Sequence, residues 1–349
     1  MRFGYWMPVF GGWLRNVDDE GMEASWAYVS RLARRSEEIG FDLTLLAELF
    51  LNDIKGEDAP TLEAWSTAAA LAAVTERLEI MVAVRPTFHP PVIFAKQAAN
   101  IDRIANGRLS LNVVSSWWAT EAAKCGVQFD VHDDRYARTR EWLEVVDGAW
   151  SEPRFSYGGR YYQVDGAIVE PKPVARPRPT IYAGGESAAA KELISARADG
   201  YLMHGDPPEN IAPKVADMRR RREALGLPPM VYGAAGYAVV RRTEAEAKRE
   251  VARITEVGSG RAYHSYQDWL ANTELEQRVS LEDYSVSNRG LRTGLVGTPE
   301  QVAERLLALE AAGLDLVLLQ FSPQLEEMER FAEEVIPLVH SESRTAVAA

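Results

Sequence analysis

"NVVSSWWATEAAKCG", residues 112–126, is the stretch on which the fold turns. The apolar run that ends here, residues 109–114, passes into Ser115, Ser116, Trp117 and Trp118, where a surface strand would turn away through polar residues. A continuous apolar run is what a strand covered on both faces requires. Aromatic residues directly after it suit a strand end that opens on a cavity, where they can wall a planar ring. Packing under a neighbouring helix is the other reading for Trp117 or Trp118.

The same unit recurs on either side. Strand-like runs at 3–7, 43–47, 78–84, 109–114, 180–183, 200–203, 231–240 and 314–320 alternate with segments of helical period at 22–39, 62–74, 92–104, 136–150, 188–198, 208–225, from 243, and at 299–312. A last helical pattern covers 325–339. Gly40 and the pair Asn106-Gly107 stop two of the helices, as residues free to turn left-handed do. Eight strand-then-helix units predict an α/β fold of the (β/α)8, or TIM, barrel type, since a doubly wound open sheet usually has fewer. One domain over 1–340 is expected, with a small, polar, disordered tail at 341–349. Two segments depart from the repeat. Residues 152–173, "EPRFSYGGRYYQVDGAIVEPKP", read as a β-hairpin excursion turning at Gly158-Gly159. Residues 258–294 lack core periodicity and read as a lid.

Composition narrows the function. Lys+Arg 39 against Asp+Glu 51 leaves a net charge of −12, which repels a phosphate backbone, so nucleic acid is not an expected partner. The single cysteine, Cys125, cannot support an intramolecular disulfide or a multi-cysteine metal site, and fits a reducing compartment. No apolar run approaches the roughly 20 residues that span a bilayer, and no leader pattern follows Met1. A cytoplasmic protein is expected, with no metal and no membrane partner.

In a barrel of this kind chemistry sits at the carboxyl ends of the strands. "IYAGGESAAAKEL", residues 181–193, ends a strand in Gly184-Gly185 and enters a helix through Glu186 and Ser187. That arrangement points free backbone N–H groups and the positive end of a helix at an anion, although a Gly-Gly pair before a helix can equally be a plain turn. Arg85, after the third strand, is either an inward anion ligand or the partner of an acidic residue.

Together "YWMP", "AVRPTFHPPVIFAKQAANIDRIANGRLSLNVVSSWW", "HDDRYARTREWL", "EPKP", "YAGGES", "RTGLVGTPEQVAERL" and "FSPQLEEMERFAEEVIPLV", in that order, resemble the bacterial luciferase-like flavin monooxygenases over residues 2–340. Within them the chain is most similar to the alkanesulfonate and dimethyl sulfone branch. The resemblance implies reduced FMN (FMNH2), O2 as co-substrate and oxidation of a small organosulfur molecule with C–S cleavage. It also implies a homo-oligomer, a dimer or tetramer. No Gly-x-Gly-x-x-Gly turn follows any predicted strand, so the flavin would be reduced by a separate NAD(P)H-dependent flavin reductase.

The resemblance places Asn112 and Glu121 near the flavin and the oxygen site, where an amide can stabilise developing charge. A strand-end amide bonding backbone and a solvated helix carboxylate are the plainer readings. Ser115, Tyr136, Gly184, Gly185, Glu186 and Ser187 match the cofactor-contacting part of the pattern, with backbone N–H groups rather than the Glu186 carboxylate facing a phosphate. His132 is equally a surface turn residue. Arg289 and Arg292 would be the inward cations of the lid, and Trp6, Phe10, Arg85, Phe88, Trp117, Trp118, Tyr237 and Phe321 would line the substrate pocket.

The departures bear on substrate. Where alkanesulfonate enzymes carry an arginine and a histidine on the seventh strand and a tyrosine and a histidine after the eighth, this chain has Ala235, Tyr237, Ser322 and Gln324. Phe10 replaces a first-strand histidine, and the cysteine after the second strand is missing from "GEDAPTLEAW". A buried sulfonate needs fixed cations. A sulfone is therefore expected over an alkanesulfonate, while an F420-dependent oxidoreductase and a non-catalytic flavin-binding relative stay open.

Overall fold

Eight short apolar runs become the eight parallel strands of a closed barrel in the computed structural model, which describes residues 1–115, 118–256, 266, 280–286 and 289–341. In chain order the barrel strands are β1 (Arg2–Trp6), β2 (Leu43–Leu46), β3 (Glu79–Val84), β4 (Leu109–Val113), β7 (Thr180–Gly184), β8 (Gly200–Met203), β9 (Val231–Tyr237) and β12 (Leu316–Gln320). Two small sheets lie outside it, the antiparallel hairpin β5 (Phe155–Gly158) and β6 (Gln163–Ala167), and the parallel pair β10 (Val239–Val240) and β11 (Val296–Gly297). Around the ring each barrel strand pairs with the previous and the next one in the chain, and β12 closes on β1.

Strand alternation divides the core in two. Leu43, Leu45, Met81, Tyr182, Leu202, Leu316 and Leu318 fill the barrel lumen, with Trp6 packed against them. The opposite faces of the same strands meet the surrounding helices in a larger cluster that includes Phe3, Tyr5, Val82, Leu111, Ile181 and Val317. Helix starts follow local chemistry. Ser25 caps helix Trp26–Glu38, Ser187 caps Ala188–Arg197, and Thr243 and Thr298 form capping boxes with Glu246 and Gln301.

Several boundaries differ from the sequence reading. The run 231–240 is not one strand: it breaks at Ala238, and Val239–Val240 leave the barrel to pair with Val296–Gly297, two residues too few to show as a strand pattern. The helix read from 136 begins at His132, one turn earlier, with Asp133 and Asp134 in its first turn. The hairpin spends residues 159–162 on its turn instead of Gly158-Gly159 alone. Most of the segment read as a lid lies outside the described residues, as do Trp117 and the tail from 342. Its far end is packed: Leu281–Ser285 is a helical turn, Val286 bridges Leu14, and Gly290–Thr293 is a 3-10 turn whose Gly290 lies so near Tyr237 that a Cβ there would meet the Tyr237 nitrogen at 2.8 Å. Among the described residues no helix is long and apolar enough to cross a membrane, and no group of three or more His, Cys, Asp or Glu could hold a metal.

Candidate active site

Three groups of polar side chains gather at the carboxyl ends of the strands. The first joins β2, β3 and the helix Ala119–Lys124. Glu121 is fully buried; its Oε1 accepts from the Phe50 and Leu51 amides at 2.6 and 3.2 Å, and its Oε2 pairs with Arg85 Nη1. The Arg85 amide donates to Glu48 Oε2 at 2.8 Å, and Glu48 Oε1 holds Trp65 Nε1 at 3.0 Å and His89 Nε2 at 2.6 Å. The guanidinium lies 4.1 Å from the centre of the Phe88 ring. Arg85 is thus the partner of acidic residues, one of the two readings open from sequence, and Glu121 is not the solvated carboxylate that helix pattern suggested.

The second group joins the ends of β7 and β8 to residues 289–292. Glu186 pairs with Arg289 and accepts from Lys214 at 3.2 Å; Lys214 also donates to Asp206 at 2.8 Å, and Arg292 lies 3.3 Å from Asp206. Arg289 is buried with a left-handed backbone, and its Nε and Nη1 have no hydrogen-bond partner. Burial pushes the Glu186 carboxyl up, but His204, Arg289 and Lys214 outweigh it and hold it down to about 2. His204, next to this cluster, is pushed down to about 4 by burial and by Arg289, so it is neutral at pH 7. His204, Lys214 and Asp206 escaped the sequence reading, which offered no motif after the short strand β8. An inward histidine directly after "GYLM" was the available signal.

The third group is in the lumen. Asn112 pairs in register with Ala83 and Tyr182, and Tyr182 faces inward, so Asn112 does too. It is buried and its Oδ1 has no partner. Gln320, two residues past inward-facing Leu318, is 2% exposed with an unpartnered Oε1, and Trp6 Nε1 is likewise unpartnered. Buried orphans of this kind are rare in folded proteins, and several in one lumen mark a ligand site.

The glycine turn after β7 is tight. A Cβ on Gly185 would come within 2.5 Å of the Ala190 Cβ and 3.3 Å of the Tyr136 hydroxyl. Ser187 Oγ caps the Ala190 amide at 3.2 Å, and the Glu186 carboxylate turns away to the cations. Ser115 is tied down, Oγ to Thr139 at 3.1 Å and carbonyl to Arg135 Nε at 3.2 Å. The expected aromatic wall is only partly assembled. Tyr237 is at the end of β9 and Trp118 is buried, whereas Phe10 packs edge-on against Trp13, and Phe321 turns outward to Phe41 and Phe331 in the helix-facing core. Gln324 is committed as well: its Oε1 accepts from Trp13 Nε1 at 2.8 Å and from the Phe321 amide at 3.2 Å.

Comparison with known proteins matches this geometry to a family. A family profile described as luciferase-like monooxygenase matches residues 1–316. The chain is 34% identical to an FMNH2-dependent dimethylsulfone monooxygenase of Pseudomonas putida, across 100% of this chain and 98% of that protein. It is also 34% identical to one from Pseudomonas fluorescens strain Pf0-1, across 97% and 94%. A solved long-chain alkane monooxygenase superposes with a TM-score of 0.85 at 20% identity, covering 98% of this chain and 92% of that one. With a barrel of the same architecture and a family match over most of its length, the chain belongs to the luciferase-like monooxygenase family.

Proposed function

We propose that the chain is the oxygenase of a two-component system that takes FMNH2 from a separate flavin reductase and uses O2 to cleave a C–S bond in a small neutral sulfone. The single observation that carries the choice of substrate is the charge balance at the barrel mouth. Arg85, Arg289, Arg292 and Lys214 are each within 3.3 Å of a carboxylate among Glu121, Glu186 and Asp206, and Arg85 also faces Glu48 at 3.5 Å, so these four cations meet four carboxylates and none of them stands without a counter-charge to await a sulfonate. Burying an anion against an already neutralised cluster costs several kcal/mol. The likeness to dimethylsulfone monooxygenases supports the same reading.

The residues present fit FMN. The turn at Gly184 to Ser187 leaves the first amides of helix Ala188–Arg197 open to a phosphate, and the Glu186 carboxylate does not repel it because Arg289 and Lys214 hold it aside. Asn112 brings an amide with a free acceptor to the lumen, suited to an N–H of the ring system. Reduced flavin, when bound, supplies two electrons to O2. Around it this chain binds the phosphate, orients the ring through Asn112, and keeps water from the lumen with the side chains that fill it. For dimethyl sulfone the balance is one O2 and two reducing equivalents in, and methanesulfinate, formaldehyde and water out.

The test is competition between dimethyl sulfone and a linear alkanesulfonate with reductase-supplied FMN, scored as sulfinate against sulfite. Sulfinate from the sulfone at the higher kcat/KM is expected. Sulfite released from alkanesulfonates at equal or higher kcat/KM overturns the substrate assignment.

A further inference from the structure

Gln320 belongs to none of the features that carried the functional reading, yet it is among the most buried polar side chains in the lumen. Its Oε1 has no hydrogen-bond partner, and a buried acceptor left alone is destabilising unless a ligand satisfies it. Trp6 has the complementary defect, a buried Nε1 with nothing to donate to. The two are neighbours. Strands β1 and β12 pair in parallel with Tyr5 opposite Leu319, so the next residues on each, Trp6 and Gln320, stand side by side. Both face inward: Trp6 packs on the lumen cluster, and Gln320 follows inward Leu318 by two residues.

The inward residues around this pair include small ones. Gln320 is opposite Tyr237, and two residues earlier inward Leu318 is opposite Ala235; across the barrel, Ala83 follows inward Met81 by two. An indole N–H and a primary amide are uncharged. Neither compensates an ionised group, but together they offer a donor and an amide that can turn either end toward a ligand.

Resting on the sulfone reading above, we propose that Trp6 and Gln320 form the substrate-recognition subsite, a neutral hydrogen-bonding pair that selects uncharged molecules bearing oxygen acceptors. Trp6 Nε1 donates to one substrate oxygen. Gln320, with its amide turned, donates to a second, which suits the paired oxygens of a sulfonyl group. Asn112, on the far side of the lumen, is left to the cofactor. The pair therefore sets which substrate enters, not how fast a bound one reacts.

The experiment compares wild type with Trp6→Phe and Gln320→Met, both close in volume to the residues they replace, under steady-state turnover of dimethyl sulfone with reductase-supplied FMN. Reduced-FMN affinity, measured anaerobically, reports that each variant is folded and cofactor-competent. The expected result is a KM for dimethyl sulfone raised about tenfold in each variant, kcat within about threefold, and FMN affinity within about twofold. Unchanged KM in both, with wild type active on the sulfone, overturns the subsite and leaves the function standing. If wild type does not oxidise sulfones, the function fails and the subsite is judged by equilibrium binding of dimethyl sulfone, dimethyl sulfoxide and methanesulfonate. Binding of the neutral probes that both variants weaken supports the subsite; no preference for them over methanesulfonate overturns it.

Discussion

Glu121 shows how a single side chain changes meaning once the barrel closes. A carboxylate without exposure survives because Arg85 and two backbone amides replace its water. Its first task is to hold the Arg85 guanidinium and the loop at Phe50 in place beneath the mouth. Glu121→Gln should leave a buried cation short of its counter-charge and cost about 3–5 kcal/mol in urea unfolding, while Arg85→Met with Glu121→Leu together should recover much of that loss. A cost below about 1 kcal/mol for Glu121→Gln would show the pair to be incidental. Sequence left open that Arg85 partners an acidic residue but could not say which: Glu121 is 36 residues away and meets it only because β3 and β4 are adjacent. Asn112 was singled out by the family resemblance; the barrel adds that its side chain faces the lumen, and its role toward the cofactor stays a proposal. Asn112→Leu should keep the fold and lower reduced-FMN affinity or kcat about tenfold or more, read by anaerobic titration and steady-state turnover.

At the scale of the element, the turn from β7 into helix Ala188–Arg197 has two separable parts. The Ser187 cap stabilises the helix, so Ser187→Ala should lower stability by about 1 kcal/mol in thermal or chemical denaturation. Gly185 serves close approach. An added Cβ would sit 2.5 Å from Ala190, so Gly185→Ala must push the helix from the turn and should weaken FMN binding by at least about tenfold. Equal FMN affinity in Gly185→Ala would remove the turn from the phosphate site. All eight barrel strands could be read in advance because a strand buried on both faces is an unbroken apolar run. The exit of Val239–Val240 could not, since the apolar run continues through Ala238 and its partner strand has two residues. Phe10 and Phe321 were read as pocket wall from their position near strand ends; the alternation that sends Gln320 inward sends Phe321 out.

Across the whole molecule the buried charge cluster ties stability to pH. His204 is held at about 4, below its ordinary 6.5, so between those values the unfolded chain binds more protons than the folded one. Stability from this group rises with pH across that window and is lost as the pH falls through it. Glu186, held at about 2 against 4.5, acts in the same direction: its contribution is present above 4.5 and is lost toward 2. The free energy of unfolding should therefore fall between pH 6.5 and 4, by up to about 1.4 kcal/mol per unit for a single group, and His204→Gln should flatten that limb. A variant with an unchanged slope would show that His204 titrates normally. On the proposed function the same cluster, in which each cation already faces a carboxylate, leaves the barrel mouth to a neutral substrate and a cofactor held by backbone amides. That claim depends first on which redox partner binds. Anaerobic titration of the protein with reduced FMN, oxidised FMN and F420, followed by admission of O2 and measurement of its uptake, tests it most directly. Tightest binding of reduced FMN, and O2 uptake that rises when dimethyl sulfone and a flavin reductase are present, are the expected results; preferential F420 binding, or turnover without O2 uptake, would overturn the proposed function.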